Sequence, residues 1–439
     1  MKLKKIAALI ALAGLSGSAF ATNGYFAHGY GMKAKGMGGA ATAVVGDTFG
    51  GANNPATMVW AGDRLDVGVD LFSPRREVSR QGSAGFGGIY NDSVESDSNY
   101  FLVPEFGYNK MLGWDMAVGV TVYGNGGMNT DYDDDNGIAG TNFNPAVCGA
   151  AAANILFGCG RLGVDLVQLV IAPTFAMKIN KDHSFGVSPL IAYQRFRVQG
   201  LQAFMGFSSS PANTTNNGRE SSHGFGLRLG WLGKVSETVT LGAAYSTKIN
   251  MSEFDNYRGL FAQQGDFDIP ENYNFGIAVM ATPKLNVAFD IQQINYSDVK
   301  SVANGVMNSL LAPPANPLGS SNGSGFKWRD QTAYKLGVEY EYSKELKLRA
   351  GYNYGKSPVR NDLDSVTFNI LAPAVVEQHL TLGGTWTLAN KSELTVAYMH
   401  AFSNSVSGPS ATALLGIGGT EKLKMHQDSL GIAYAIKFQ

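Results

Sequence analysis

A chain of 439 residues could hold two or three soluble domains, yet only 16% of it is charged, 44% is hydrophobic and Gly alone fills 55 positions. That balance argues for one large all-β body instead. A formal net charge of −1 offers no electrostatic footprint for nucleic acid, so that partner class is set aside.

Residues 1–21, MKLKKIAALIALAGLSGSAFA, carry Lys2, Lys4 and Lys5, then the apolar run Ile6 to Leu15, then Ala19-Phe20-Ala21. This is the order of a secretory signal peptide cleaved after Ala21. The apolar run is too short to serve as a spanning anchor, and no Cys sits at the junction as a lipoprotein would require. Further along, no uncharged apolar stretch reaches the ~20 residues of a membrane-crossing helix. An exported chain of this kind is either soluble or a β-barrel, the other structure that satisfies every backbone group in lipid.

Residues 22–63 are dense in Gly and Ala, lack period-2 alternation and contain Asn53-Asn54-Pro55-Ala56. Small residues let backbone pack tightly on backbone, and alone such a segment buries too little apolar surface to stay folded. It is expected to be enclosed as a plug, or hatch, by residues 64–439. There, segments of about 9 to 15 residues alternate apolar with polar, as barrel strands do. Tyr334, Leu336, Val338, Tyr340 and Tyr342 alternate with Lys335, Gly337, Glu339 and Glu341, and the chain ends on Leu430, Ile432, Tyr434, Ile436 and Phe438 at the same period. Other strands start near Leu65, Phe101, Trp114, Val164, Ser184, Gly224, Val239, Tyr273, Leu285, Leu346, Gln378 and Leu394. The count is about fourteen, with twelve and sixteen as its neighbours. Short connections alternate strictly with long ones such as Pro74 to Ser98, Asn125 to Gly163 and Val299 to Lys327. Outer-membrane barrels sort periplasmic turns from outer loops in this way, and a soluble sandwich has no reason to. The fold class is therefore a transmembrane antiparallel β-barrel plugged by an N-terminal hatch.

Trp114, Tyr340, Tyr342, Trp386 and Tyr398 are expected in interfacial girdles. Asp66, Asp70, Glu105, Arg195, Arg197, Arg228, Lys248, Asp290, Lys335, Glu339, Lys347 and Arg349 are assigned to the lumen, where charge is tolerable beside water or a partner. Two apolar clusters lie in outer loops, Leu201, Phe204, Met205 and Phe207 in the third, and Phe254, Tyr257, Leu260 and Phe261 in the fourth. The second has helical spacing and predicts a short amphipathic helix; mutual packing that orders the loops is the plainer alternative. Gly124, Gly126 and Gly127 mark either a weakened strand end with a bulge or an ordinary loop start. Cys148 and Cys159, with ten residues between them, read as a structural disulfide, because a metal site would want further Cys or His nearby. Asp131 to Gly137 hints at a calcium loop but lacks its downstream Glu, so a solvated acidic loop is the stronger reading. No nucleophile–base motif stands out, and neither an enzyme nor a cofactor is expected.

Gly36-Met37-Gly38-Gly39-Ala40, Asp47, Asn54-Pro55-Ala56, Leu162-Gly163-Val164-Asp165-Leu166, Phe326-Lys327-Trp328-Arg329-Asp330, Ser357-Pro358-Val359 and Tyr398-Met399-His400 occur in this order. In that order the chain resembles the FadL/TodX outer-membrane transporters of long-chain fatty acids and other hydrophobic compounds, over nearly the whole mature length. The resemblance implies a hatch inside a fourteen-stranded barrel and a third strand, here Val122 to Met128, that kinks to open the wall sideways. It places Asn53 to Ala56 beside that gate and makes the two loop clusters a ligand groove. It also makes Arg329, with Arg195 and Arg197 sharing lumen parity, candidates for the head group of a fatty acid; pairing with lumen carboxylates is the alternative. The implied function is passive uptake of hydrophobic molecules by a monomer in the outer membrane of a Gram-negative bacterium, among its lipid and lipopolysaccharide. Long-chain fatty acids are the first expectation and aromatic hydrocarbons the second; a general porin or adhesin is the alternative of another class.

Overall fold

The computed structural model describes residues 23–85, 88–133, 148–150, 152–311 and 315–438. The expected signal peptide and most of the acidic stretch after Asp133 lie outside the described residues. From Arg64 onward the chain is a meander. Its strands are β1 (Arg64–Gly85), β2 (Gly88–Glu95), β3 (Phe101–Met111), β4 (Met116–Tyr132), β5 (Leu162–Lys178), β6 (His183–Gln199), β7 (Glu220–Lys234) and β8 (Val239–Ser246). They continue as β9 (Asn250–Met251), β10 (Asn272–Thr282), β11 (Leu285–Ile294), β12 (Gln331–Glu341), β13 (Leu346–Gly355), β14 (Gln378–Thr387), β15 (Glu393–Pro409) and β16 (Thr420–Lys437).

All pairings are antiparallel, and β16 returns to β1, with Arg64 opposite Lys437 through Gln81 opposite Thr420. β2 and β9 pair on extensions of β1 and β7 outside the closed circuit, which leaves fourteen strands in the barrel wall. Closure removes the unpaired edges that lipid would not tolerate. The six tight connections, such as 112–115 and 283–284, sit at one rim, and the long ones at the other. One expectation needs correction: much of the first long connection is β-structure, because β1 runs on to Gly85 and folds back as β2. Its alternation of Val78 and Val94 with polar residues reads as loop in sequence because no apolar outer face accompanies it.

The alternation sorts as chemistry demands. Tyr334 and Leu336 are exposed on the outer face while Lys335 between them is buried. Leu102, Phe289, Ile291, Leu382, Leu430 and Ile432 are likewise exposed, and Asp66, Asp70, Glu105, Arg228, Asp290 and Arg349 are buried. Such an apolar exterior is stable against acyl chains rather than water. Arg195 and Arg197 do not follow the lumen assignment. On β6 the inward positions are Ala192, Gln194, Phe196 and Val198, whereas Ile191 and Tyr193 face out, so the two arginines share the outer parity. Shifting the parity by one residue moves every side chain to the other face.

Residues 23–63 are bonded to the inward side chains. Lys35 Nζ lies 2.8 Å from Asp70 and 3.6 Å from Glu105. Lys33 pairs with Glu393 at 2.6 Å, and Asp290 accepts from the Ala41 and Thr42 amides, both at 2.8 Å, and from the Thr42 hydroxyl at 2.7 Å. Buried charges of this kind are held only when paired and hydrogen-bonded. Glycines on the wall make the contact possible: a Cβ on Gly186 would come within 2.3 Å of the Pro55 carbonyl carbon, and one on Gly230 within 2.1 Å of Asn54 Oδ1.

Candidate functional site

β3 and β4 pair over only six residue pairs, from Met111 opposite Ala117 up to Phe106 opposite Val122. Above that point Phe101 to Glu105 still pair with β1, but no described ladder joins them to β4. Contact resumes at the outer rim, where Ser96 bridges Tyr132 and the Asp97 amide donates to the Asp131 carbonyl at 2.8 Å. The wall thus has a window in its outer half. β4 also bulges against β5 between Gly124 and Gly126, the device that bends a strand and re-aims it. The three glycines of the sequence analysis are therefore strand, not the start of a loop.

The N-terminal segment lies against this window. Phe26 bridges Gly126, the Ala27 amide donates to the Asn125 carbonyl at 3.2 Å, and the Gly127 amide donates to the Tyr25 carbonyl at 3.3 Å. The Tyr30 hydroxyl donates to the Asn125 carbonyl at 3.1 Å. Asn54, Pro55 and Ala56 lie elsewhere, which corrects the expected contact with the gate. Asn54 Nδ2 donates to the Thr42 and Trp231 carbonyls at 2.8 and 2.9 Å, and the Ser184 hydroxyl donates to the Ala56 carbonyl at 2.9 Å. These bonds go to β6, β7 and the segment itself. Asn53 reaches the bulge at one remove, donating to the Tyr30 carbonyl at 2.9 Å. Tyr25 and Phe26, which make the direct contact, carry no sequence signal beyond being aromatic.

Two cavities meet at Met128, beside the bulge. The first, about 40 Å³, lies under the outer loops and is lined by Leu201, Phe204, Leu260 and Phe261 from the two sequence-marked clusters. Phe196, Phe267, Leu318, Phe326, Phe368 and Leu371 complete it with no charged residue. Met205, Phe207, Phe254 and Tyr257 are not on its wall; Phe254 and Tyr257 are fully buried beneath it, with Phe196 and Tyr257 rings 4.8 Å apart. So the loops both pack on each other and leave a hollow. The amphipathic helix does not form: Asp255–Tyr257 is a single 3-10 turn, and Gln263 and Gln264 have φ of 57° and 64°. Phe254, Tyr257 and Phe261 reach the core from a compact coil instead. The second cavity, about 20 Å³, is lined by Tyr25, Phe72, Arg76, Gly127, Met128, Trp328 and Met425 among others. Sequence reasoning passed over Arg76, which falls inside the supposed first loop.

Arg329 borders neither cavity. Its Nε and Nη2 both donate to the Ser357 carbonyl, at 3.0 and 2.6 Å, where they tie two outer segments together. Cys148 and Cys159 are joined as a disulfide. Among the described residues no cluster of three or more His, Cys, Asp or Glu could hold a metal ion.

No curated protein sequence matches the chain. The sequence model of the outer membrane protein transport protein family (OMPP1/FadL/TodX) matches residues 157–439. Solved structures share the architecture. The chain is similar to the toluene transporter TodX of Pseudomonas putida, with 18% identity, coverage of 94% of this chain and 99% of the other, and a TM-score of 0.67. It is similar to a FadL homologue of Pseudomonas aeruginosa (14% identity, 94% and 100% coverage, TM-score 0.70) and to the toluene transporter TbuX of Ralstonia pickettii (16%, 94% and 99%, 0.60). With the family model spanning more than half its length, the chain belongs to the OMPP1/FadL/TodX family of outer-membrane transport proteins, which are transport channels rather than enzymes.

Proposed function

We propose that this protein takes up hydrophobic molecules by passive diffusion, receiving them in the cavity under the outer loops and releasing them sideways through the window between β3 and β4. One observation carries the reading: Met128 lines both cavities and sits on the strand that lacks its β3 partner over the window. An apolar molecule in the first cavity is already out of water, and the adjoining cavity borders a stretch of wall where no described β3–β4 ladder has to be broken. Residues 23–63 act as a hatch that closes the direct route through the lumen, held by Lys35, Lys33 and the Asp290 contacts. An uncharged and mostly apolar lining suits the chains of fatty acids and the rings of aromatic hydrocarbons alike, so this route serves either class.

The test uses the unmodified protein in lipid nanodiscs with photoreactive diazirine analogues of a fatty acid and of toluene. Labelling is expected at Phe204 or Phe261 first and at Gly127 or Met128 later. A third hollow, about 490 Å³ at the periplasmic rim, is lined by Val45, Trp60 and Met280 among others. Label collecting there and not at the window would refute lateral release. A large steady conductance of the intact protein in planar bilayers would favour a general porin instead.

A further inference from the structure

Arg76 is one of the buried charged groups of the interior. It is 5% exposed, yet no carboxylate of the described residues pairs with it. Its Nη2 donates to the Ser96 hydroxyl at 3.1 Å and to the Ser98 carbonyl, and its guanidinium carbon lies 5.9 Å from the Phe101 ring centroid. Its Nε is buried with no hydrogen-bond partner. Arg80, four residues further along β1, is buried against Glu421 at 2.6 Å. Arg228 and Lys335 are also buried without a carboxylate, but they donate to Asn53 and Asn272 and to the His28 carbonyl, respectively, whereas Arg76 keeps a donor unmet beside a cavity. A buried guanidinium without a counter-charge is costly unless something supplies one.

The position of Arg76 says what could. It lines the second cavity, and the Ser96 it binds forms the upper frame of the window through the Ser96–Tyr132 bridge. The first cavity has no charged lining at all, so an anionic head group finds its first cation here. We propose that Arg76 is the specificity-determining residue of the exit cavity, accepting the head group of a long-chain monocarboxylate at the upper rim of the window while the apolar tail leads out into the bilayer. Nη2 is taken up by Ser96 and Ser98, so it is the unpartnered Nε that offers one charge-assisted hydrogen bond to a carboxylate oxygen. This inference rests on the lateral route proposed above and adds the ligand class to it.

The experiment compares binding of oleate, methyl oleate and oleyl phosphate to the full-length protein in neutral detergent, for wild type, Arg76→Gln and Arg76→Lys. Wild type is expected to prefer oleate over methyl oleate, and Arg76→Gln to cut that preference about 10- to 100-fold, the range for one charged hydrogen-bonded contact. Arg76→Lys keeps the charge and should restore part of it. An unchanged preference in Arg76→Gln, with heat-modifiable gel mobility intact, overturns the assignment. So does equal loss for both esters and acids, which would mark a merely structural role. Tighter binding of oleyl phosphate than oleate overturns the carboxylate class in favour of a phosphate head. Should wild type bind none of the three, the proposed uptake of such molecules fails, independently of Arg76.

Discussion

Replacing Gly126 with Ala tests how the N-terminal segment closes the window. Gly126 does not have a positive φ, so Ala is acceptable to its backbone and the obstacle is contact alone. A Cβ there would lie 1.8 Å from the Tyr25 carbonyl oxygen and 2.8 Å from its carbon, and since both are backbone atoms no rotamer change relieves the clash. The segment must back away, breaking the Ala27-to-Asn125 and Gly127-to-Tyr25 bonds of 3.2 and 3.3 Å. At about 0.5–1.5 kcal/mol each, the loss is about 1–3 kcal/mol. Converted at tenfold per about 1.4 kcal/mol, the Ala27 and Gly127 amides should exchange with solvent about 5- to 150-fold faster. The barrel should persist, because Lys35, Lys33 and Asp290 hold the rest of the segment by other contacts. Hydrogen–deuterium exchange with mass spectrometry, in nanodiscs, reads this out on peptides covering 23–28 and 123–130. Unchanged exchange in a folded variant would refute the idea that this close approach holds the segment in the window.

Two further predictions concern the outer loops. Burial, with the Asp268 carboxylate as second cause, pushes the Asp266 carboxyl up to about 7, from an ordinary value of about 4. The folded loop therefore favours the protonated form, and the stability this lends is present below about 4 and lost as pH rises through about 7. Since Phe267 beside it lines the first cavity, protection of residues 252–268 from exchange, corrected for intrinsic rate, should fall between pH 5 and pH 8; an equal fall in Asp266→Asn would sink this assignment. For the disulfide, the double variant Cys148→Ser with Cys159→Ser should loosen its own loop by about 2–3 kcal/mol, the entropy of closing so short a ring. The barrel's heat-modifiable mobility and ligand binding should not follow, and a loss of barrel stability would show that the outer loops fold as one unit with the wall.

The barrel was legible because its physics is periodic. Lipid on one side and a polar interior on the other force an alternation that shows in Tyr334 to Tyr342 and in Leu430 to Phe438 without any partner strand in view. The sorting of short and long connections, the glycine-rich segment that cannot stand alone and the two cysteines were legible for similarly local reasons. The parity of Arg195 and Arg197 was not, because toward the outer end of β6 the inward side is as apolar as the outward one, as Phe196 and Val198 show. Nor was the loop coil of Phe254 to Phe261, whose helical spacing was overruled by packing against Phe196.

Composition and period alone were enough for the fold class and for a count of about fourteen strands, and they set the glycine-rich residues before Arg64 apart from the strands that follow. Three-dimensional packing was needed to see that the described β3–β4 ladder ends at Phe106, that Tyr25 and Phe26 lie against the bulge there, and that Arg76 stands nearby without a carboxylate. These depend on the register between β3 and β4 and on contacts between residues hundreds of positions apart, such as Tyr25 and Trp328, whose rings lie 5.8 Å from each other. A missing partner leaves no trace in a residue's identity, because it is a property of the space around the side chain.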